Sequence, residues 1–279
     1  MNSARGPCTR REMASAPAVV PPSGPARSRS APQPYLREFC APLKRRLLDG
    51  EHLTLLGPRG SGKSSLLQAL EAQLRRDEWP CAYAPVTGSL EHITRALECA
   101  YPAVATARLG RRAARSRLCR AAEQQACVLL LDHFCCTGSA MVSFLRRLHG
   151  RIAGVLTAVD IESEAQRQAL QPWRYGALSI RMPAAPGALL RRLLGAQIAR
   201  LQLPEFDGRS RSAVVAAARG RPGWIVTCTE LARQRRYWGA QGVLLSVLCV
   251  DTEAAVRYEA LGMLLARPVA DRQERTGGG

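Results

Sequence analysis

The sequence predicts an α/β fold in which a parallel sheet flanked by helices is followed by a smaller all-helical domain. Two observations lead to this prediction. Up to about residue 184, short segments of strand length alternate with segments of helical periodicity, and these strands are apolar throughout, as a parallel sheet covered on both faces requires. After Pro183, every periodic segment is helical.

The first predicted elements surround a glycine-rich segment. An amphipathic helix is expected to begin near Tyr35, because apolar residues recur at helical spacing at Leu36, Phe39, Leu43 and Leu47. A strand at 52–56, a helix at 63–76, a strand at 81–86 and a helix at 90–100 are predicted next.

The remaining elements complete the sheet and form the second domain. The predicted order is a strand at 127–131, a helix at 140–148, and strands at 153–159 and 177–182. Helices are then expected at 186–201, 209–219, 222–237 and 252–265, with breaks at segments that contain Pro and Gly.

These elements divide the chain into four regions. Residues 1–34 are rich in Pro, Ser and Arg, lack periodicity, and are expected to form a disordered arm. The sheet domain is expected at 35–184 and the helical domain at 185–268. A flexible tail is expected at 269–279.

The chain of 279 residues carries a net charge of +18, almost entirely from arginine, because Lys44 and Lys63 are the only lysines. This charge favours a polyanionic partner such as nucleic acid, but the amino-acid usage of a GC-rich genome explains it equally well.

The 10 cysteines lack C-x-x-C spacing and are interpreted as reduced thiols. We find no secretory signal or apolar run of membrane-spanning length, and expect a cytoplasmic protein without a membrane partner.

The segment Gly57-Pro-Arg-Gly-Ser-Gly-Lys-Ser64 fits the phosphate-binding pattern G-x-x-x-x-G-K-[ST], between a predicted strand and a predicted helix. In that context, backbone N–H groups and the helix N-terminus bind nucleotide phosphates. Lys63 is expected to reach the β- and γ-phosphates of ATP, and Ser64 to bind Mg²⁺. The predicted nucleotide contacts are Gly57, Pro58, Arg59, Gly60, Ser61, Gly62, Lys63, Ser64 and Ser65.

A carboxylate follows the predicted strand at 127–131 directly, at Asp132. At the carboxyl end of a buried strand, Asp132 is expected to meet the Mg²⁺ through water, opposite Ser64. The alternative is an aspartate that only opens a turn before the next helix.

With these two motifs, residues 35 to about 237 resemble the AAA+ class of P-loop ATPases. The segment Pro34-Tyr-Leu-Arg-Glu-Phe39, the phosphate loop and the compact helical domain are most similar to origin-recognition and transposition-helper ATPases. The resemblance implies a helical lid, ATP and Mg²⁺ as cofactors, and assembly with further copies of the chain or with a protein partner.

The sequence departs from that class directly after Asp132. These ATPases usually have a Glu there that polarises the attacking water, whereas this chain has His133. An imidazole is able to position or deprotonate water, so one hypothesis is a hydrolysing ATPase with His133 as a catalytic residue. The other hypothesis is a nucleotide-binding switch or scaffold with little or no hydrolysis, in which His133 only caps the strand. A kinase has less support, because we find no acceptor-site motif.

The resemblance also implies a polar residue on the strand that neighbours the predicted strand at 127–131. Thr157 and Asp160 are the candidates. Asp160 lies at the strand end, but its negative charge near a phosphate is unfavourable unless Mg²⁺ or an arginine intervenes.

Two arginine positions are implied as well. Arg174, with Arg167 as the second choice, is the candidate for an arginine that enters the site of a neighbouring subunit. Arg221, directly before a helix-starting proline, is the candidate lid arginine, and a stricter alignment places Gly223 there instead. An ordinary surface or helix-entry arginine is the alternative for each.

Residues 108–120 carry six arginines and no acidic residue. On a helix they would present a cationic face to a DNA backbone. A solvated helix in an arginine-rich protein is the alternative. We find no winged-helix or helix-turn-helix segment after the predicted lid, so DNA contact would have to come from the ATPase domain or from a partner.

Overall fold

The structure, a computed structural model, describes residues 34–104, 109–135, 138–163, 166, 168, 177–239 and 242–265. The elements of the sheet domain are α1 (Pro34–Leu48), β1 (His52–Gly57), α2 (Lys63–Arg76), β2 (Cys81–Ala84), α3 (Leu90–Ala100), α4 (Arg111–Gln124), β3 (Val128–Leu131), α5 (Ser139–His149), β4 (Gly154–Asp160) and β5 (Leu178–Arg181). The following elements are α6 (Gly187–Leu201), α7 (Gly208–Ala218), α8 (Pro222–Leu231), a 3₁₀ turn (Arg235–Tyr237), β6 (Trp238–Gly239), β7 (Gly242–Val243) and α9 (Leu245–Leu265).

The first five strands form one parallel sheet in the order β2-β3-β4-β1-β5. The strand β4 therefore lies between β1 and β3. Its register pairs Asp160 with Gly57 of β1, and Thr157 with Leu131 of β3. Because the strands are parallel, the ends of β1, β3 and β4 meet at one edge of the sheet, where ligands of open α/β sheets bind.

The sheet is covered on both faces, which explains why its inner strands are apolar throughout. Consecutive residues of a strand point to opposite faces, so Leu129 and Leu131 pack under α3, α4 and α5. Val128 and Leu130 face the opposite side, where α1 and α2 pack. This arrangement confirms the predicted α/β fold.

The helices that follow the sheet share a separate core. Trp224, Tyr237 and Phe206 are fully buried there, with apolar residues of α6 to α9 around them. Phe206 and Trp238 pack edge to face, with ring centroids 5.5 Å apart. The predicted all-helical second part is therefore present, although it also contains the short antiparallel ribbon β6–β7.

The helix predicted at 222–237 is shorter than expected, because a turn and the 3₁₀ turn at Arg235–Tyr237 occupy its last residues and lead into the ribbon. That helix ends at Leu231. Side-chain hydrogen bonds of two aromatic residues hold the chain that follows it in a different course. The indole N–H of Trp238 donates to the Ala232 carbonyl at 2.6 Å, and the Tyr237 hydroxyl donates to Asp251 at 2.7 Å. The last helix begins at Leu245 rather than at residue 252.

Several sequence predictions lie outside the described residues. They concern residues 1–33, the tail at 269–279, and the arginines at 108, 167 and 174. Within the described chain, no helix combines the length and apolar character that crossing a membrane requires. None of the described cysteines forms a disulfide, and burial raises the pKa of Cys40 and of Cys127 to about 11.

Candidate nucleotide-binding site

The glycine-rich loop joins the end of β1 to the start of α2. Gly62 caps α2 with a left-handed backbone at φ 97°, and Gly60 also has a positive φ of 74°. Residues with a Cβ rarely adopt these backbone conformations, so the two glycines permit the tight turn. The loop directs the N-terminus of a 14-residue helix towards the edge of the sheet where β3 and β4 also end.

Lys63 is the first residue of α2 and folds back over the loop. Its Nζ atom donates to the carbonyl oxygen of Gly57 at 2.7 Å and to that of Pro58 at 2.9 Å. Burial lowers the pKa of Lys63, while the nearby carboxylates of Asp160 and Asp132 oppose that shift. The ammonium group thus lies inside the loop, where it is bonded to two backbone carbonyls.

Asp132 follows β3, as the sequence predicts, and only 2% of its surface is exposed. The Tyr83 hydroxyl donates to its Oδ2 atom at 3.2 Å, and the backbone N–H of His133 donates to its Oδ1 atom at 2.9 Å. The Thr87 hydroxyl donates to the Asp132 carbonyl at 3.0 Å. These bonds fix the carboxylate at the carboxyl end of the strand.

His133 lies beside both predicted Mg²⁺ ligands. Its Nε2 atom is 3.5 Å from the Oγ atom of Ser64 and 3.9 Å from Oδ1 of Asp132. The side chain is 38% exposed, and the backbone is left-handed with φ 47°. Histidine is one of the few non-glycine residues enriched in that conformation. The structure therefore brings Ser64, Asp132 and His133 together.

The loop residues fit a phosphate group and its Mg²⁺. The hydroxyl of Ser61 is buried without a hydrogen-bond partner among the described residues, so it has a free polar group inside the loop. A Cβ at Gly57 would lie 2.8 Å from that hydroxyl oxygen, which explains the need for glycine. Mg²⁺ is commonly held by one or two protein oxygens plus phosphates and water, and Ser64 and Asp132 supply oxygens of this kind. No cluster of three metal-binding side chains occurs in the described chain.

An arginine of the loop neutralises Asp160. The guanidinium of Arg59 forms an ion pair with the Asp160 carboxylate, of which only 5% is exposed. The same guanidinium donates to the backbone carbonyl of Arg257 in α9. Both Arg59 and Asp160 are predicted site residues, but nothing in the sequence indicates that they pair. The intervening arginine that Asp160 needs beside a phosphate is thus Arg59.

Thr157, the other candidate on β4, lies in the middle of the strand rather than at its end. Its side chain is fully buried, and its hydroxyl has no hydrogen-bond partner among the described residues. It belongs to the face of the sheet that α3, α4 and α5 cover, because it alternates with Leu156 and Ala158 of the opposite core. Of the two candidates, Asp160 is the one near Lys63.

The helical part contacts the loop through the first turn of α8. The backbone N–H of Gly223 donates to the Gly60 carbonyl at 2.8 Å. A Cβ at Gly223 would lie 2.9 Å from the Gly60 Cα, so this close approach requires glycine at both positions. Arg221, two residues earlier, is buried and ion-paired with Glu253 of α9. The loop and the lid residues predicted from the sequence are therefore adjacent.

The fold and these side chains define a P-loop nucleotide-binding domain. Residues 47–159 match a family model described as an AAA domain. This part of the chain is an AAA+ P-loop ATPase domain, as its resemblance in sequence predicts. No curated protein matches the chain in sequence.

Three solved structures are similar in fold. Domain III of the replication initiation protein DnaA from Thermotoga maritima shares 14% identity over 82% of this chain and 93% of its own, with a TM-score of 0.46. A T. maritima RuvB mutant shares 13% identity over 81% and 70%, with a TM-score of 0.46. C. elegans PCH-2 shares 15% identity over 82% and 68%, with a TM-score of 0.42. With TM-scores below 0.5, these similarities support no inference about activity or partners.

Proposed function

We propose that this protein binds ATP with Mg²⁺ and couples ATP hydrolysis to assembly with further copies of the chain or with a protein partner. The single observation that supports this proposal most is the convergence of Lys63, Ser64 and Asp132 at the loop. In this proposal, Lys63 leaves the loop carbonyls to bind the β- and γ-phosphates, while Ser64 and Asp132 hold the metal. The bound Mg²⁺ would neutralise the charge that develops on the phosphates.

The experiment compares Lys63→Ala with Lys44→Ala, which removes the other lysine of the chain. Lys44 pairs with Asp77 at the surface, so its loss tests the effect of charge alone. We expect Lys63→Ala to abolish both the thermal stabilisation by Mg²⁺·ATP and the release of phosphate, and Lys44→Ala to retain both. Equal activity of the two variants would refute the ATPase proposal.

The second candidate function is a nucleotide switch with little or no turnover. The position of His133 favours it, because the residue in the place of the usual Glu faces Ser64 and Asp132. Retention of ADP through purification, with no phosphate release at high protein concentration, would support this candidate. Multiple turnovers that depend on Lys63 would exclude it.

We further propose that α4 and α5 contact a DNA backbone. Arg111, Arg112 and Arg120 of α4 and Arg146 and Arg147 of α5 are exposed. The two helices are neighbours, and Arg151 just after α5 pairs with Glu123 of α4. A cationic surface of this kind gains affinity by releasing counterions from the phosphates that it neutralises.

The test uses two double variants with equal loss of charge. We expect Arg111→Ala with Arg112→Ala to weaken binding to duplex DNA and to reduce its dependence on salt by about one phosphate per arginine removed. The control replaces Arg191 and Arg192, which are exposed on α6. The same loss of affinity in both double variants would show that only net charge matters, which would exclude this surface.

A further inference from the structure

Arg221 and Glu253 form an ion pair with two hydrogen bonds, in which the arginine is buried and the carboxylate is partly exposed. The Nη2 atom of Arg221 lies 2.7 Å from Oε2 of Glu253, and its Nη1 atom lies 3.3 Å from Oε1. The indole N–H of Trp224 donates to the same Oε2 atom at 3.1 Å. Only 7% of the Arg221 side chain is exposed. The guanidinium and the carboxylate thus satisfy each other in a bidentate arrangement.

This pair lies next to the phosphate loop. Arg221 immediately precedes α8, and the N–H of Gly223 in the first turn of that helix is bonded to Gly60. Glu253 belongs to α9, and Arg257, one turn further along α9, accepts the hydrogen bond from Arg59 of the loop. The helix α9 therefore touches the loop directly and also holds the nearest buried lid arginine.

We propose that Glu253 is a positioning residue that competes with the γ-phosphate of ATP for Arg221. The inference rests on the proposed binding of nucleotide. The Nε atom of Arg221 donates to the Ala218 carbonyl at 3.1 Å, and Nη1 and Nη2 both bind Glu253, so no pair of donors is free for a phosphate. Arg221 therefore binds either the carboxylate or the nucleotide. A phosphate group presents the same fork-shaped set of acceptors as a carboxylate, which makes the exchange chemically matched.

The exchange distinguishes ATP from ADP. A ligand shifts such an equilibrium only through its different affinity for the two arrangements, and the γ-phosphate is the part that ADP lacks. The hydrogen bond from Arg221 holds the pKa of Glu253 below its usual value, so the competitor carries a negative charge at neutral pH. Glu253 also pairs with Arg257 at 3.3 Å, so it retains a partner when Arg221 leaves. The loss of Arg221 would remove the ion pair between α9 and the residue that precedes α8.

The test measures the ratio of the dissociation constants for ADP and for a non-hydrolysable ATP analogue, in the full chain with Mg²⁺. Glu253→Gln keeps the size and one acceptor oxygen but removes the charge. We expect the preference for the triphosphate to rise about tenfold, because one charge-assisted hydrogen bond is typically worth at least that factor. The same substitution in an Arg221→Gln background should leave the ratio unchanged, since the two side chains act together.

The control is Glu230→Gln in α8, which removes a carboxylate that pairs with Arg200 and Arg233 at the surface. It should leave the ratio unchanged. An unchanged ratio in folded Glu253→Gln would overturn the inference while nucleotide binding itself stands. A wild-type protein that binds neither nucleotide would overturn both proposals.

A measurement on the wild-type chain covers the case in which Glu253→Gln does not fold. In protein labelled with ¹⁵N-tryptophan, the indole signal of Trp224, assigned with Trp224→Phe, reports on its bond to Glu253. We expect the ATP analogue to shift that signal and ADP to leave it in place. Identical spectra with the two nucleotides would contradict the exchange of Arg221.

Discussion

The Nε2 atom of His133 lies 3.5 Å from the Oγ atom of Ser64, although 69 residues separate them in the chain. The contact follows from the order of the strands, which brings the end of β3 close to the loop after β1. The residue that stands in place of the usual Glu is therefore next to the proposed Mg²⁺ ligand. Its imidazole is partly exposed to solvent and faces both proposed Mg²⁺ ligands, Ser64 and Asp132.

Replacement of His133 by Asn tests whether the imidazole takes part in hydrolysis. Asn tolerates the left-handed backbone at this position, so the loop should keep its shape, but an amide cannot accept the proton of water. We expect ATP affinity to stay within about twofold and phosphate release to fall at least about tenfold, as for the loss of a general base. The affinity is measured by titration and the turnover by a phosphate assay. Unchanged turnover would assign His133 a purely structural role.

The ion pair of Arg59 and Asp160 should stabilise the fold measurably. Removing one partner of a buried pair leaves the other charge without compensation, which is costly. A double-mutant cycle with Arg59→Ala and Asp160→Asn should therefore give a coupling of at least about 1 kcal/mol in the free energy of unfolding. Denaturation by urea measures each variant.

The matched control for that cycle is the exposed pair of Arg200 and Glu230, with 53% and 41% of the two side chains exposed. Its coupling should stay below about 1 kcal/mol, because exposed ion pairs contribute little. Equal coupling in both pairs would contradict a special role for Arg59.

Acid should destabilise the protein through His52 at the start of β1. The ring of His52 packs 3.8 Å from that of His149, and burial, assisted by His149, lowers its pKa from 6.5 to about 4. Between these values the unfolded chain binds a proton that the folded chain does not. The contribution of His52 is therefore complete above pH 6.5 and is lost as the pH falls towards 4.

Thermal unfolding from pH 7 to pH 4 checks this prediction. His52→Phe keeps an aromatic ring beside His149 but cannot bind a proton, so its melting temperature should fall less than that of the wild type. His92→Gln on the exposed side of α3 serves as the control and should follow the wild type. Parallel curves for all three proteins would contradict the role of His52.

The sequence alone was sufficient for features that depend on neighbouring residues. The helix α2 begins at Lys63 and ends at Arg76, as predicted, because the strand, the loop and the helical periodicity are all local. The pairing of Arg59 with Asp160 joins residues 101 positions apart and depends on the register of β1 and β4. The bond from Arg221 to Glu253 depends on how two helices pack. Sequence periodicity identifies such residues but does not state which of them meet.

The close approach of Gly60 and Gly223 offers a test of the contact between loop and lid. An Ala at Gly60 would have a positive φ of 74°, and its Cβ would lie 3.0 Å from the backbone nitrogen of Trp224. We expect Gly60→Ala to lower the free energy of unfolding by about 1–3 kcal/mol and to weaken ATP binding. The positive φ would strain the backbone of the loop, and the added Cβ would push the loop away from Trp224. Gly195→Ala is the control, since nothing lies within 4 Å of its Cβ in the middle of α6. Gly195→Ala should be more stable than the wild type by about 0.5–1 kcal/mol. A loss of stability in Gly195→Ala alone would contradict the importance of the contact between Gly60 and α8.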